Sequence, residues 1–328
     1  MNPLKIVDHI LLHLLHRKRS SNFQFHCGLD TPPPIDQLHV ESFYPLPHMP
    51  DIRFEPKDQD GKYQLWRYEQ DCQIQSLDSG NNTSYGLFYE NQDGNEPNIH
   101  VIFVHGWRMN SLDLVHNLFR DRFLKQGWHL WYVTLPYHFE RAPAASGYSG
   151  EFMVSANIDR TLLSVRQAIT DLRALIHWIR KHRGGKIVLI GVSLGGFLTN
   201  LVGTLEKHLE ALVSVFYANS LAYSVWHTVP GKYIKQDLQH HGFTYEQLQA
   251  YWAITDPSLF HPVVPLEHIL LLSGIYDQYV VGEDTDRLWE SWDKPRRILY
   301  PCGHAGLALH KNKIAQDVIQ FLKPRLRG

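Results

Sequence analysis

Cysteine is scarce in this chain. Its 328 residues include three, Cys27, Cys72 and Cys302. They are odd in number and far apart, which argues against a disulfide framework and against a zinc site built on cysteine pairs. A reducing compartment such as the cytoplasm suits them. An excess of charge is missing too. Thirty-two basic residues against 33 acidic leave a net charge of −1, so nothing draws the whole molecule to nucleic acid. No stretch approaches the ~20 apolar residues of a membrane span. Internal repeats and low-complexity tracts are absent. What is present is ordinary for a soluble globular protein, 44% hydrophobic and 20% charged, and long enough for one large α/β domain.

The first residues carry an apolar run: Ile6, Val7, Ile10, Leu11, Leu12, Leu14 and Leu15. His16-Arg17-Lys18-Arg19 follows it. Asp8, His9 and His13 interrupt the run, the positive charge comes last and no small-residue cleavage site follows, unlike a secretory signal. The expectation is a helix packed on its own domain. The alternatives are an amphipathic anchor through residues 3–16 that touches anionic lipid, or a dimer contact. Residues 17–60 are polar and proline-rich (Pro32-Pro33-Pro34, Pro45, Pro47, Pro50). Residues 1–62 therefore read as a helix plus an extended arm.

From Tyr63 the pattern becomes regular. Two short strands, 63–74 and 84–89, flank a turn-rich segment and suggest an antiparallel opening. The β-branched run 99–104 predicts a strand buried on both faces. A helix over 112–125 and a strand over 128–135 follow. After Asn157, a good N-cap, Ile158, Leu162, Val165, Ile169, Leu172, Ile176 and Ile179 form one apolar helical stripe. Further strands are expected at 186–190, 212–217, 269–273 and 297–300, and helices at 197–205 and 305–322. This alternation predicts a mainly parallel sheet with helices on both faces, whose reactive groups gather just past the strand ends.

Past the strand ending at Ile190 stands Gly191-Val192-Ser193-Leu194-Gly195-Gly196. This is G-x-S-x-G between a strand and a helix, the context in which that motif presents a serine nucleophile. On these residues the chain, over roughly 63–323, resembles the α/β-hydrolase superfamily. Leu135-Pro136-Tyr137-His138-Phe139-Glu140-Arg141-Ala142-Pro143 and Ser149-Gly150-Glu151 resemble a poorly characterised branch of it. The resemblance implies an α/β-hydrolase fold with a core of 63–218 and 263–328 and a helical lid at 219–262. It also implies the chain order serine, acid, histidine.

Asp277, past one strand, and His304, in the glycine-flanked loop past the next, fit that order. His310 is the rival base, and Glu283, Asp284 and Asp286 are rival acids. The loop Ala218-Asn219-Ser220, where some relatives keep the acid, has no carboxylate. The oxyanion hole is expected from the backbone N–H groups of Leu194 and Trp107, the latter in the loop His105-Gly106-Trp107-Arg108.

The lid's aromatic residues, Trp226 and Trp252 among them, are candidates to line an apolar pocket or only to tie the lid down. His105 and His138 are candidate substrate contacts. Arg141 is a candidate anion contact, with a salt bridge to Glu140 or Glu151 as its structural alternative. No metal and no cofactor are expected. The function these features imply is hydrolysis of a carboxylic ester or thioester, with a partly apolar small-molecule acyl substrate. An acyltransferase or serine peptidase could use the same triad, and a non-catalytic binding module is the alternative from another class.

Overall fold

Along the central strands, successive apolar side chains pass to opposite faces of one sheet. Ile102 and Val104 join the core on one side, whereas Val101 and Phe103 join the core on the other. A strand that buries both faces has to lie inside a sheet covered twice. The computed structural model, which describes residues 3–17, 24–28, 30–94 and 98–326, builds that sheet from nine strands. They are β1 (Ile52–Asp60), β2 (Tyr63–Asp71), β3 (Thr83–Asn91), β4 (Ile99–Val104), β5 (His129–Val133), β6 (Lys186–Val192), β7 (Ala211–Val215), β8 (Ile269–Gly274) and β9 (Arg296–Tyr300). Their order is β1-β2-β3-β5-β4-β6-β7-β8-β9. The first three strands and the β3–β5 contact are antiparallel, and the rest is parallel. The protein has the α/β-hydrolase fold.

The helices are α1 (Pro3–Leu15), a single turn α2 (Val40–Phe43), α3 (Asp113–Leu124), α4 (Ile158–His182), α5 (Leu194–Gly203), α6 (Leu221–His227), α7 (Lys232–His240), α8 (Tyr245–Tyr251), α9 (Gly282–Ser291) and α10 (Lys311–Leu326). α3 and α10 cover one face through residues such as Phe119, Phe123, Ile314 and Phe321. α4 and α5 cover the other through Val165, Leu172, Phe197 and Leu201. α4 starts where expected: the Asn157 side chain accepts a hydrogen bond from the Arg160 amide at 2.9 Å, the usual N-cap contact.

The N-terminal arm is shorter than the sequence suggests. Residues 52–60 are strand β1, paired with β2 at the edge of the sheet. Glu55, Pro56, Lys57 and Asp58 look like loop residues. At an edge, however, charge and proline are tolerated and discourage further pairing, and a register shift falls between Pro56 and Asp58. The remaining arm is tied to the lid helices. The Gln24 amide donates to Asp237 Oδ2 at 2.9 Å, and the Tyr251 hydroxyl to the Asp30 carbonyl at 3.2 Å. The segment expected to form a lid, 219–262, carries α6, α7 and α8. Buried Asp284 fixes its start by accepting from the Asn219 and Ser220 amides. Among the described residues no helix is long and apolar enough to cross a membrane.

Candidate active site

β6 runs into α5 through a turn of one residue, Ser193. Its backbone lies at φ 57°, ψ −115°, a region that costs a non-glycine residue about 1–3 kcal/mol. The flanking glycines make the turn possible. A Cβ at Gly191 would stand 2.2 Å from the Gly195 carbonyl oxygen, and one at Gly195 would stand 2.2 Å from the Val104 carbonyl oxygen. The Ser193 amide is held by the Val215 carbonyl at 2.9 Å. Leu194 then opens α5, so its N–H is one of the unpaired donors at a helix start.

Asp277 and His304 meet. The imidazole Nδ1 lies 2.7 Å from Asp277 Oδ2, and Asp277 Oδ1 accepts from the Tyr279 and Val280 amides, each at 2.8 Å. A carboxylate only accepts, so Nδ1 carries the proton and Nε2 offers its lone pair. The two loops are stitched together by backbone bonds from Ile275 to Tyr300 and from Tyr276 to Cys302. Tyr279 stacks on His304 with ring centroids 4.5 Å apart. Burial pulls the His304 pKa down, but the Asp277 carboxylate beside it, with a smaller effect of Asp8, leaves it raised above the ordinary value. The rival residues are employed elsewhere. Asp284 holds the lid, Asp286 pairs with Arg297 and Glu283 accepts from the Tyr223 hydroxyl. His310 Nδ1 lies 3.1 Å from the Gly306 carbonyl oxygen.

The loop after β4 passes directly over the serine. A Cβ at Gly106 would lie 3.3 Å from Ser193 Cβ. The Trp107 indole donates to the Gly150 carbonyl at 2.7 Å, which anchors the loop across the cleft. Arg108 takes a positive φ of 60°. Its guanidinium lies 3.7 Å from the Tyr148 ring centroid and 2.7 Å from His16 Nδ1. Burial, and then Arg108 itself, lowers the His16 pKa to about 3. His16 is therefore neutral, and its Nδ1 accepts a hydrogen bond from the Arg108 guanidinium.

Two spaces open at Ser193, both bordered by Trp107 and Tyr279. The inner chamber, about 40 Å³, has walls of Val154, Leu221, Val225, Pro230 and Val280. The outer cleft, about 610 Å³, is reached by His304, Arg108, Asn110 and Tyr148, together with Leu12, Leu14, His16 and Arg17. The chamber is apolar as the sequence suggests, but the lid contributes aliphatic residues to it. Trp252 is buried in the core with its indole directed at the Ile158 carbonyl. Trp226 packs beside Tyr245 and Lys235. Neither borders the described cavities.

Three further candidates are structural. His105 is wholly buried. Its Nδ1 donates to the Gly106 carbonyl (2.8 Å) and its Nε2 accepts from the Leu135 amide (3.2 Å), which leaves nothing for a substrate. Burial lowers its pKa to about 4. His138 is equally buried. Its Nδ1 donates to the Pro136 carbonyl, and Gly150 packs so close that a Cβ there would stand 2.2 Å from Nε2. Arg141 does form a salt bridge, but with Asp171 at 3.3 Å. It also donates to the carbonyls of Thr134 and Asn81. Glu140 pairs with Arg67, and Glu151 accepts from Gln24. Asp171 lies on α4, thirty residues away in the chain, which no local spacing reveals.

The sequence also leaves Asp8, His16, Arg108 and Tyr279 unassigned. A visible hint was Asp8, a lone acid within an apolar run. Among the described residues no cluster of histidine, cysteine and carboxylate side chains could hold a metal ion. If Arg141 is a brace, Arg141→Ala should lower the unfolding free energy by about 3–5 kcal/mol, measured by urea denaturation. A stable variant with a raised KM would instead return Arg141 to substrate binding.

A profile of the family described as alpha/beta hydrolase domain containing 18 matches residues 110–252. Uncharacterized protein YdjC of Bacillus subtilis (strain 168) is 49% identical over 115 residues, 35% of this chain and 99% of that one. An uncharacterized protein of Mycobacterium tuberculosis is 30% identical over 236 residues, 70% of this chain. The match spans 54% of that relative's length. Among solved structures, acetyl xylan esterase 1 from Thermoanaerobacterium sp. JW/SL YS485 superposes with a TM-score of 0.67 at 14% identity, covering 96% of this chain and 99% of the esterase. A cold-adapted esterase from an Arctic intertidal metagenomic library gives 0.57 at 14% identity, covering 84% of this chain and 100% of that one. At such identities the likeness is one of fold. The 49% identity along almost the whole of the B. subtilis protein is a likeness of sequence. The chain belongs to the alpha/beta hydrolase domain containing 18 family.

Proposed function

We propose that the chain is a serine hydrolase that cleaves a carboxylic ester or thioester through an acyl-enzyme on Ser193. The observation that carries this reading is the His304–Asp277 pair at 2.7 Å, which borders the same cleft as a serine held in a strained turn. His304 Nε2 takes the Ser193 proton as Oγ attacks the acyl carbon. The carbonyl oxygen becomes an oxyanion, received by the N–H groups of Leu194 and Trp107. His304 then protonates the leaving alcohol or thiol, and water repeats the sequence to release the acid. The apolar chamber suits the acyl part, and the outer cleft suits the leaving group. The three cysteines form no disulfide among the described residues, and a reducing, cytoplasmic setting suits them.

A fluorophosphonate probe should label wild-type protein at Ser193. Ser193→Ala should abolish labelling and lower kcat on a p-nitrophenyl ester by a factor on the order of 10⁶. The base must be neutral to act. Because the His304 pKa is raised, activity should fall as pH drops through a value above about 6.5. Folded wild-type protein that resists both probe and ester would sink the proposal.

One observation favours a setting at a membrane surface. Leu4, Ile6, Val7, Ile10, Leu11 and Leu14 of α1 are 40–53% exposed, whereas Asp8 and Leu12 are buried. Lys5 and Arg17 flank this apolar face. Lys18 and Arg19 lie outside the described residues. A basic-flanked apolar face of this kind suits an anionic lipid surface. Full-length protein should therefore pellet with phosphatidylglycerol vesicles, and Val7→Glu with Leu11→Glu should leave it in the supernatant. Equal pelleting of the two would refute the membrane contact.

A further inference from the structure

α1 is docked the opposite way from an ordinary surface helix. Its apolar face looks outward and its acid looks in. Asp8 is 3% exposed, and both its oxygens are engaged. Oδ2 accepts from the Gln278 amide at 2.9 Å, and Oδ1 from the Ala305 amide at 3.0 Å. Gln278 follows Asp277 in the chain, and Ala305 follows His304. One carboxylate therefore bridges the residues next to the acid and next to the base. The room for it is specific. A Cβ at Gly303 would stand 2.2 Å from Asp8 Cγ, so only glycine before His304 admits the acid.

Eight residues further along the chain, His16 takes up Arg108 from the loop beside Ser193. The helix thus fastens three loops of the site at once.

We infer that Asp8 is a positioning residue: its carboxylate clamps the acid loop to the histidine loop and holds His304 against Asp277. This rests on the triad proposed above. The clamp touches neither substrate nor reacting atoms. The Asp8 carboxylate also adds a small electrostatic effect that favours the charged form of His304, the imidazole that must become a cation during turnover. The charged and titratable groups around His304 are Asp277 from the β8 loop, Asp8 and His16 from α1, Cys302 and Tyr279, with Arg108 behind His16. Asp8 and Asp277 both favour the imidazolium.

The test uses the full chain and compares Asp8→Asn with Leu12→Ala, which loosens the same helix at an apolar contact on the buried side it shares with Asp8. Asp8→Asn should lower kcat on p-nitrophenyl acetate roughly 10²-fold through misplacement of the base, with KM little changed. The His304 titration, followed by NMR and assigned by its loss in His304→Gln, should move to lower pH, and the acid limb of kcat/KM with it. Leu12→Ala should lower Tm and leave that titration in place. Wild-type kcat and titration in Asp8→Asn overturn the inference, and so does an equal shift in Leu12→Ala. Should Asp8→Asn not fold, Asp8→Glu decides. It keeps the charge on a longer arm, so turnover should fall while the raised titration persists, and wild-type turnover overturns the clamp. The titration needs no catalysis. A wild type inert to ester and fluorophosphonate defeats the hydrolase reading alone.

Discussion

The hydrogen bond between His304 and Asp277 sets demands that much of the surrounding architecture meets. A carboxylate that must accept from an imidazole cannot be left to swing. Two amides of its own loop hold Asp277, backbone bonds join that loop to the histidine loop, and Asp8 closes the pair from outside. Parallel neighbours β8 and β9 deliver both loops at the same end of the sheet. The serine arrives at that end because β6 is parallel as well.

Histidine is abundant here, with 21 residues, and the structure puts it to two opposite uses. His100, His105, His116, His129 and His138 are pushed below the ordinary pKa by burial. They act as neutral, partly polar packing. His105 shows the advantage most clearly, because it joins two backbone groups at the end of β4 without carrying charge into the core. Beside a carboxylate, His304 goes the other way. The same side chain is held neutral or drawn towards its charged form according to whether an acid stands next to it.

What could be read from the sequence was what depends on local order. Apolar periodicity marked the central strands and α4, and the glycines around Ser193 marked the turn, because each reports a constraint acting within a few residues. The places of Asp277 and His304 after successive strands were legible too, and the structure brings the two side chains within 2.7 Å. What escaped reading depends on pairings across the fold. β1 looked like loop because an edge strand needs no apolar alternation. Arg141 faced Asp171 from a distant helix, and Trp252 turned into the core although its neighbours belong to the lid. Asp8 was visible as an interruption, but its purpose lay on loops 270 and 297 residues away.

Those separations bear on how the molecule comes into being. A ribosome makes α1 well before the loops it closes. Until Ala305 has been made, Asp8 has no amide to meet there, and the leucines and isoleucines of α1 have neither a docked helix nor a finished domain beneath them. Closure of so long a loop is costly in entropy, and it is recovered only when β8 and β9 are already in the sheet. Residues made early thus seal loops made 270 and 297 positions later. A nascent chain halted before β9 would already carry Ser193 and its turn and still lack His304, the partner of Asp277.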